Sequence, residues 1–102
     1  ERFRDLAKAK SGKFCVINAL AVVSHGSSVG DYSHLSLGSK IGGQVEIGHN
    51  VFLGINTSVN QNIKIESNTV VGSGSVIIKN IPHNSLVVGN PGKIIKTRLN
   101  EN

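Results

Sequence analysis

The sequence has no tryptophan and no methionine, and its 102 residues include one cysteine, two prolines and four aromatic side chains. A single cysteine cannot form an internal disulfide, which excludes a disulfide-stapled scaffold and favours a reducing compartment. The sequence shows no secretory signal and no apolar run long enough to cross a membrane. We therefore expect a cytoplasmic protein without membrane insertion.

Positive charge is scarce in the middle of the chain, although the net charge is +5. The basic residues concentrate before residue 14 and after residue 78. No basic stripe carries interleaved aromatic side chains, which argues against nucleic-acid binding. The basic ends could still attract a phosphorylated small ligand, and Lys79, Lys93 and Lys96 are the candidates for that contact.

The chain is instead rich in glycine, asparagine, serine and aliphatic residues, arranged in a six-residue repeat. Every sixth residue is aliphatic, and the residue four positions later is small or β-branched throughout. A six-residue period fits neither an amphipathic helix nor a hairpin meander. The repeated aliphatic positions are Ile17, Val23, Val29, Leu35, Ile41, Ile47, Leu53, Val59, Ile65, Val71 and Ile77.

This period predicts a solenoid with a triangular cross-section. Each hexad would form one short strand and one corner, and three hexads would form one coil. Each strand would pair in parallel with the strand one coil away, about 4.8 Å above it. The repeated aliphatic residues would fill the axis, and glycine or asparagine would allow a left-handed backbone at the corners.

The pattern [LIV]-G-x-x-[STAV]-x resembles the left-handed parallel β-helix of hexapeptide-repeat proteins, over about two thirds of the chain. The resemblance implies an all-β fold with about four coils over residues 14–82. Residues 1–13 combine apolar side chains at helical spacing with a Ser-Gly stop, which predicts a short N-terminal linker helix. Residues 83–102 are expected to form an irregular C-terminal segment: a turn at 90–92, a short strand and a tail.

A closer resemblance is carried by three stretches, "NALAVVSHGSSVGDYSHLSLGSKIGGQVEIGHNVFLGINTSV", "VVGSGSVIIKNIP" and "VVGNPGK". They are similar to the C-terminal domain of sialic acid O-acetyltransferases and nucleotide-linked amino-sugar N-acetyltransferases. The resemblance implies transfer of an acetyl group from acetyl-CoA to an amine or hydroxyl of a sugar. It also implies a homotrimer with active sites between subunits, and no metal. These enzymes normally carry an N-terminal sugar-binding domain, and this sequence begins at the helix that would follow it.

For catalysis, the resemblance points to His25 and Gly43. The histidine of V-x-H-x-x-x-[IV]-G-D is the general base of that group, and Gly43 would offer its backbone N–H to the acetyl carbonyl oxygen. Because the two residues are one coil apart in sequence, we expect them on the same edge of adjacent coils, about 5 Å apart. The group usually places an acid directly after the base, whereas Gly26 stands here. Cys15 lies in an apolar run and is interpreted as a small buried hydrophobe, not a nucleophile.

For binding, the resemblance points to further residues on neighbouring coils. His34 would lie beside the acetyl thioester, and Asn18 would lie near the acceptor. Ile55 and Ser73, together with His34 and Gly43, would contact acetyl-CoA, the first two along its pantetheine arm. The interval between the two histidines is half a coil, which predicts different edges of one turn. They would then converge only across a groove between subunits.

Two other functions stay open. A purely structural β-helix subunit needs no catalytic site, whereas a lyase of the carbonic anhydrase type needs three histidines converging on a metal ion. The spacing of His25, His34 and His49 supplies no close pair for that metal. His49 and His83 are interpreted as solvated surface residues. Acetyl-CoA binding would separate a transferase from a structural subunit, and metal analysis would test the lyase.

Overall fold

Short strands and turns make up the computed structural model, which describes the backbone of residues 4–5 and 10–97 and the side chains of residues 10–97. These ranges contain no helix, and hence none of the length and apolar character needed to cross a membrane. Two-residue strands recur every six residues over most of the chain. The strands are β1 Arg4–Asp5, β2 Lys10–Ser11, β3 Val16–Ile17, β4 Val22–Val23, β5 Ser28–Val29, β6 His34–Leu35, β7 Lys40–Ile41, β8 Glu46–Ile47, β9 Phe52–Leu53, β10 Ser58–Val59, β11 Lys64–Ile65, β12 Val70–Val71, β13 Val76–Ile77, β14 Ser85–Val88 and β15 Lys93–Thr97.

The strands stack into three sheets that form the faces of a prism. Face A has the order β1-β4-β7-β10-β13, face B has β11-β8-β5-β2, and face C has β15-β14-β12-β9-β6-β3. Within the body of the prism the pairing is parallel and joins residues eighteen apart, as in Val23↔Ile41 and Leu35↔Leu53. The predicted β-helix of about four coils is confirmed.

The turns between faces stack into three corners, where the backbone enters the left-handed region. Nine residues other than glycine in the described chain have a positive φ, and five of them are asparagine, which tolerates this conformation better than most residues. Corner AB comprises residues 24–27, 42–45 and 60–63, corner BC comprises 12–15, 30–33, 48–51 and 66–69, and corner CA comprises 18–21, 36–39, 54–57 and 72–75.

The axis of the prism is filled by the repeated aliphatic residues. All of them are buried, and Val23, Leu35, Leu53, Ile65 and Val71 expose no surface. Full burial of such a side chain contributes about 1.5–3 kcal/mol relative to exposure. The repeat therefore supplies one inward aliphatic residue per strand, and these residues form a continuous core along the axis of the prism.

Small hydroxyl residues complete the interior by tying one coil to the next. Ser33 Oγ donates to the Gly48 carbonyl oxygen at 2.8 Å and accepts the Val51 N–H at 3.0 Å. No buried side-chain nitrogen or oxygen within the described residues lacks a hydrogen-bond partner. Polar side chains are thus accommodated in the core because their neighbours along the axis satisfy them.

The helix predicted over residues 1–13 is wrong wherever the structure describes this segment. There, β1 pairs with β4 and β2 pairs with β5, so the solenoid begins earlier than the repeat indicated. The Lys10 N–H donates to the Ser27 carbonyl oxygen at 2.9 Å. Pairing with an open sheet edge outweighs the weak helix propensity of so short a segment. Residues 1–3 and 6–9 of the predicted helix lie outside the described residues.

The period shortens near the C-terminal end. Ile77 still pairs with Val59, eighteen residues earlier, but Ile81 pairs with Ile65, sixteen residues earlier. The last coil is therefore two residues shorter than the others. The six-residue period thus ends between Ile77 and Ile81.

A hairpin closes the C-terminal end of the prism. β14 adds to face C in parallel, and β15 pairs with β14 in antiparallel. The connecting turn contains a cis peptide bond before Pro91, and the Gly92 N–H donates to the Val76 carbonyl oxygen at 2.8 Å. The turn and short strand predicted for this segment are thus part of one hairpin. Residues 98–102, the predicted tail, lie outside the described residues.

Candidate active site

Corner AB carries His25, which lies in the turn between β4 and β5 with its side chain exposed. The corner is fixed from inside by Ser27, whose Oγ donates to the Gly42 carbonyl oxygen at 2.7 Å and accepts the Val45 N–H at 3.0 Å. The imidazole is therefore presented to solvent from a corner tied to the following coil.

Gly43 stacks directly on His25 in the next coil, as its spacing predicted. The neighbouring Gln44 N–H donates to the His25 carbonyl oxygen at 3.0 Å, and a Cβ added to Gly43 would lie 3.4 Å from that same oxygen. Adjacent coils are about 4.8 Å apart, so the imidazole and the Gly43 backbone share one edge of the prism.

Several outward N–H groups of the other two corners are capped by the side chain one coil further on, although those of Ala19 and Leu37 in corner CA are not. In corner BC, the Asp31 N–H donates to His49 Nδ1 at 2.8 Å, and the His49 N–H donates to Ser67 Oγ at 2.9 Å. In corner CA, the Ile55 N–H donates to Ser73 Oγ at 3.2 Å. We call this arrangement the capping ladder.

The capping ladder is interrupted at corner AB. Gly43 has no side chain to cap His25, and Gln61, one coil beyond Gly43, does not cap it in turn. Within the described residues, neither the His25 N–H nor the Gly43 N–H has an acceptor in the chain. The backbone N–H groups of His25 and Gly43 are therefore available as hydrogen-bond donors beside the exposed imidazole. Sequence motifs alone could identify only the Gly43 N–H as a donor.

Gly26, where the resemblance led us to look for an acid, is explained by its surroundings. Its φ is +74°, in the region that favours glycine, and a Cβ there would lie 2.4 Å from Gln44 Nε2. The Gln44 carboxamide thus packs against the bare backbone next to His25. A side chain at position 26 would have to displace that carboxamide.

His34 lies on the opposite side of the prism, in the outward row of face C between Val16 and Phe52. Its ring packs against the Phe52 ring with centroids 5.1 Å apart, and Asn18 Nδ2 lies 3.2 Å from His34 Nε2. The imidazole is half-buried. Two predicted binding residues, Asn18 and His34, are therefore hydrogen-bonded to each other.

The expectation that His25 and His34 occupy two edges of one turn is wrong for His34, which lies on a flat face. Half a coil is one and a half hexads, so the interval leads from a corner to the middle of the opposite face. Ile55 and Ser73 lie in corner CA, which borders face C. The predicted residues thus form two groups: His25 with Gly43, and Asn18 with His34, Ile55 and Ser73.

The remaining histidines belong to corner BC and its continuation. Asp31, His49 and Ser67 stack in three consecutive coils and have the residue types of a hydrolase triad. However, His49 Nδ1 accepts the Asp31 N–H, whereas a triad histidine carries a proton on Nδ1 and donates it to the carboxylate. The distance from Asp31 Oδ2 to His49 Nδ1, 3.8 Å, is also too long for a hydrogen bond. This stack caps the corner and does not form a triad.

A groove of about 590 Å³ follows face B and corner BC, and it contains none of the predicted site residues. Side chains of opposite kind lie near each other across its coils: Lys64 Nζ is 3.8 Å from Glu46 Oε1, and His83 Nδ1 is 3.7 Å from Glu66 Oε1. Within the described residues, no group of three or more His, Cys, Asp or Glu side chains is placed to hold a metal ion.

The comparison with known families concerns the repeat itself. Residues 44–79 match the family described as bacterial transferase hexapeptide (six repeats). This part of the chain is therefore similar to the hexapeptide repeats of that family. The matched residues include Ile55 and Ser73 but begin just after Gly43, so the match bears on the coils and not on the histidines.

Solved structures similar to this chain include PerB from Caulobacter crescentus in complex with CoA and GDP-perosamine. It is 30% identical with a TM-score of 0.76, over 86% of this chain and 51% of that one. The acetyltransferase domain of PglB from Neisseria gonorrhoeae, in complex with acetyl coenzyme A, is 28% identical with a TM-score of 0.80, over 87% and 46%.

A third structure widens the range of acceptors among the relatives. Serine acetyltransferase (CysE) from Neisseria gonorrhoeae is 29% identical with a TM-score of 0.85, over 89% of this chain and 40% of that one. The chain thus spans about half the length of these structures, or less. Similarity to them supports an acyl donor more strongly than any one acceptor.

Proposed function

We propose that this protein transfers an acetyl group from acetyl-CoA to an amine or hydroxyl of a sugar. The observation that carries the proposal is the exposed His25 imidazole beside the uncapped Gly43 N–H at corner AB. An exposed imidazole and an uncapped backbone N–H lie one coil apart there, which suits a general base beside an oxyanion donor. The resemblance to structures holding CoA or acetyl-CoA supports the choice of donor.

In this mechanism His25 accepts the proton of the attacking amine or hydroxyl as the new bond to the acetyl carbon forms. The Gly43 N–H donates to the thioester oxygen as that oxygen becomes negatively charged. The bond from carbon to sulfur then breaks, and protonated His25 can return its proton to the departing sulfur. No covalent acyl-enzyme is required, and the buried Cys15 thiol, which donates to the Gly30 carbonyl oxygen at 3.0 Å, takes no part.

The acetyl donor would lie between two copies of the chain. Corner AB of one copy supplies His25 and Gly43, and the side bearing His34, Ile55 and Ser73 comes from a neighbour. That second side also exposes apolar surface: Phe52 is 42% exposed and Leu20 is 76% exposed. Exposed apolar patches of this kind favour association, and a closed ring of three copies would pair corner AB of each copy with that side of the next.

The acceptor we favour is a nucleotide-linked amino sugar or a sialic acid, because PerB is in complex with CoA and GDP-perosamine. Acetyl-CoA and nucleotide sugars are cytoplasmic metabolites, and the free Cys15 suits the same compartment. Lys79, Lys93 and Lys96 are exposed and available for donor or acceptor phosphates.

The test combines donor binding with acetyl transfer. Calorimetry should detect acetyl-CoA binding, and an acceptor panel of 4-amino-sugar nucleotides, sialic acids and serine should identify the substrate class. His25→Ala should lower kcat by about 100-fold or more, since general base catalysis contributes about that much. His83→Ala, which removes an exposed histidine outside the candidate site, should leave kcat unchanged. Absence of acetyl-CoA binding would instead favour a structural β-helix subunit.

A further inference from the structure

His34 is held from two sides by neighbouring coils of its own chain. Phe52 packs on the ring from the following coil, with ring centroids 5.1 Å apart and planes inclined at 45°. Asn18 approaches from the preceding coil, with 3.2 Å between Asn18 Nδ2 and His34 Nε2. The two contacts fix both the ring plane and the direction in which each ring nitrogen points.

Asn18 is itself well anchored. Its backbone N–H donates to the Leu35 carbonyl oxygen at 3.0 Å, and its carbonyl oxygen accepts the Ala21 N–H at 3.2 Å. These bonds place Asn18 at the start of corner CA, one coil from His34. Its side-chain amide therefore reaches the histidine from a fixed backbone position.

The chemistry of this contact decides where the imidazole proton lies. An amide nitrogen carries two N–H donors and no acceptor. With the Asn18 amide in this orientation, Nδ2 faces His34 Nε2, and that ring nitrogen accepts the hydrogen bond. A neutral imidazole has one donor and one acceptor nitrogen, so the proton of His34 lies on Nδ1.

We propose that Asn18 is a positioning residue that holds His34 in the Nδ1–H tautomer, so that His34 presents an N–H donor to its ligand. The proposal rests on the proposed function for the identity of that ligand, a carbonyl oxygen of acetyl-CoA. The two histidines then have different tasks. His25 accepts a proton, whereas His34, with Nε2 already occupied, donates a hydrogen bond.

The experiment uses the full chain and reads the tautomer directly. Long-range proton–nitrogen NMR spectra of ¹⁵N-labelled protein distinguish the protonated from the bare ring nitrogen of each histidine. Asn18→Asp keeps the shape of the side chain but replaces the N–H donor with an acceptor, which should move the His34 proton to Nε2. Asn18→Ala should give a mixture of tautomers.

The matched control is Asn68→Asp in corner BC. It adds the same charge, and because Asn68 Oδ1 accepts from Asn50 Nδ2 at 2.9 Å, the aspartate keeps that hydrogen bond. This variant should leave the His34 tautomer and acetyl-CoA affinity unchanged. Asn18→Asp should weaken acetyl-CoA binding by about tenfold, the effect of losing one hydrogen bond.

Each outcome decides the assignment. The assignment of Asn18 as the residue that sets the His34 tautomer would be overturned by either of two results. One is a wild-type protein with the proton on Nε2, and the other is an Asn18→Asp variant with an unaltered tautomer. A reversed tautomer with unchanged acetyl-CoA affinity would overturn the role of His34 as a donor. If wild-type protein binds no acetyl-CoA, the proposed function fails, while the NMR spectra still decide whether Asn18 sets the tautomer.

Discussion

At the scale of single residues, two glycines allow the cost of backbone strain to be distinguished from the cost of a steric conflict when each is replaced by alanine. Gly26 and Gly74 have the same φ of +74°. A Cβ on Gly26 would collide with the Gln44 carboxamide at 2.4 Å, whereas a Cβ on Gly74 would meet nothing within 4 Å. The pair therefore offers a comparison in which only the packing differs.

Gly74→Ala should cost about 1–2 kcal/mol of unfolding free energy, the penalty of placing alanine in the left-handed region. Gly26→Ala should cost up to about 0.5 kcal/mol more, because it also displaces the carboxamide at the end of the exposed Gln44 side chain. Denaturant unfolding of both variants measures the difference. Adding Gln44→Ala to Gly26→Ala should recover the excess; equal costs for the two single variants would contradict the packing argument.

The capping ladder gives a second prediction at this scale. Serine at positions 67 and 73 caps the N–H one coil earlier, so Gln61→Ser should cap the Gly43 N–H. If that N–H stabilises the oxyanion, capping it should lower kcat by about tenfold or more, because removing one such donor costs about 100-fold.

The matched variant for this prediction is Gln61→Ala, which shortens the side chain without supplying a hydroxyl. It should keep most of the wild-type kcat. Equal activity of the serine and alanine variants, measured with saturating acetyl-CoA, would show that the Gly43 N–H is dispensable.

Only part of the candidate site could be predicted from the sequence. The eighteen-residue interval placed Gly43 above His25, because stacking follows from the repeat alone. The contact between Asn18 and His34 and the packing of Gln44 on Gly26 could not be predicted, because they depend on side-chain directions that a repeat does not specify. The roles of the predicted residues stay predictions until the experiments above are done.

At the scale of elements, the body of the β-helix was predictable and its ends were not. In the body, every hexad carries the same inward aliphatic residue, so one rule fixes all the strands. At the ends, pairing depends on which sheet edge is open. Edge pairing of Lys10–Ser11 thus replaced a predicted helix, and the apolar runs near 86–88 and 94–95 became two strands of one hairpin.

That hairpin protects the C-terminal edges of faces A and C, which otherwise resemble exposed edge strands. A chain ending at residue 82 would lose the fully buried Val87 and the bonds that Val76 makes with the hairpin turn. We expect it to aggregate in light-scattering measurements at concentrations where the whole chain does not. A chain ending at residue 97 is the control and should behave like the whole chain; equal scattering from both truncations would contradict this role.

At the scale of the whole molecule, the two groups of predicted residues face away from each other. One copy offers corner AB, and the other side, face C with corner CA, offers Asn18, His34, Ile55 and Ser73. An active site that needs both sides must therefore be shared between copies. This arrangement can be tested without a structure of the assembly.

His25→Ala and His34→Ala proteins should each have low activity alone. Mixed assemblies, made by co-expression and verified by native mass spectrometry, should recover activity at up to about a quarter of the interfaces, where each neighbour supplies the histidine that the other lacks. Mixed assemblies without any recovery would indicate that the two histidines do not act at one shared site.

The constant eighteen-residue register also gives the prism a unit of length. A duplicated segment of eighteen residues in the body would add one complete coil, and every later residue would stay on the same face of the prism. A segment of six or twelve residues inserted between His34 and Ile55 would rotate the remainder by one or two faces, so Ile55 and Ser73 would leave the side that carries His34. Natural or engineered variants of this chain should therefore tolerate length changes in the body only in multiples of eighteen residues.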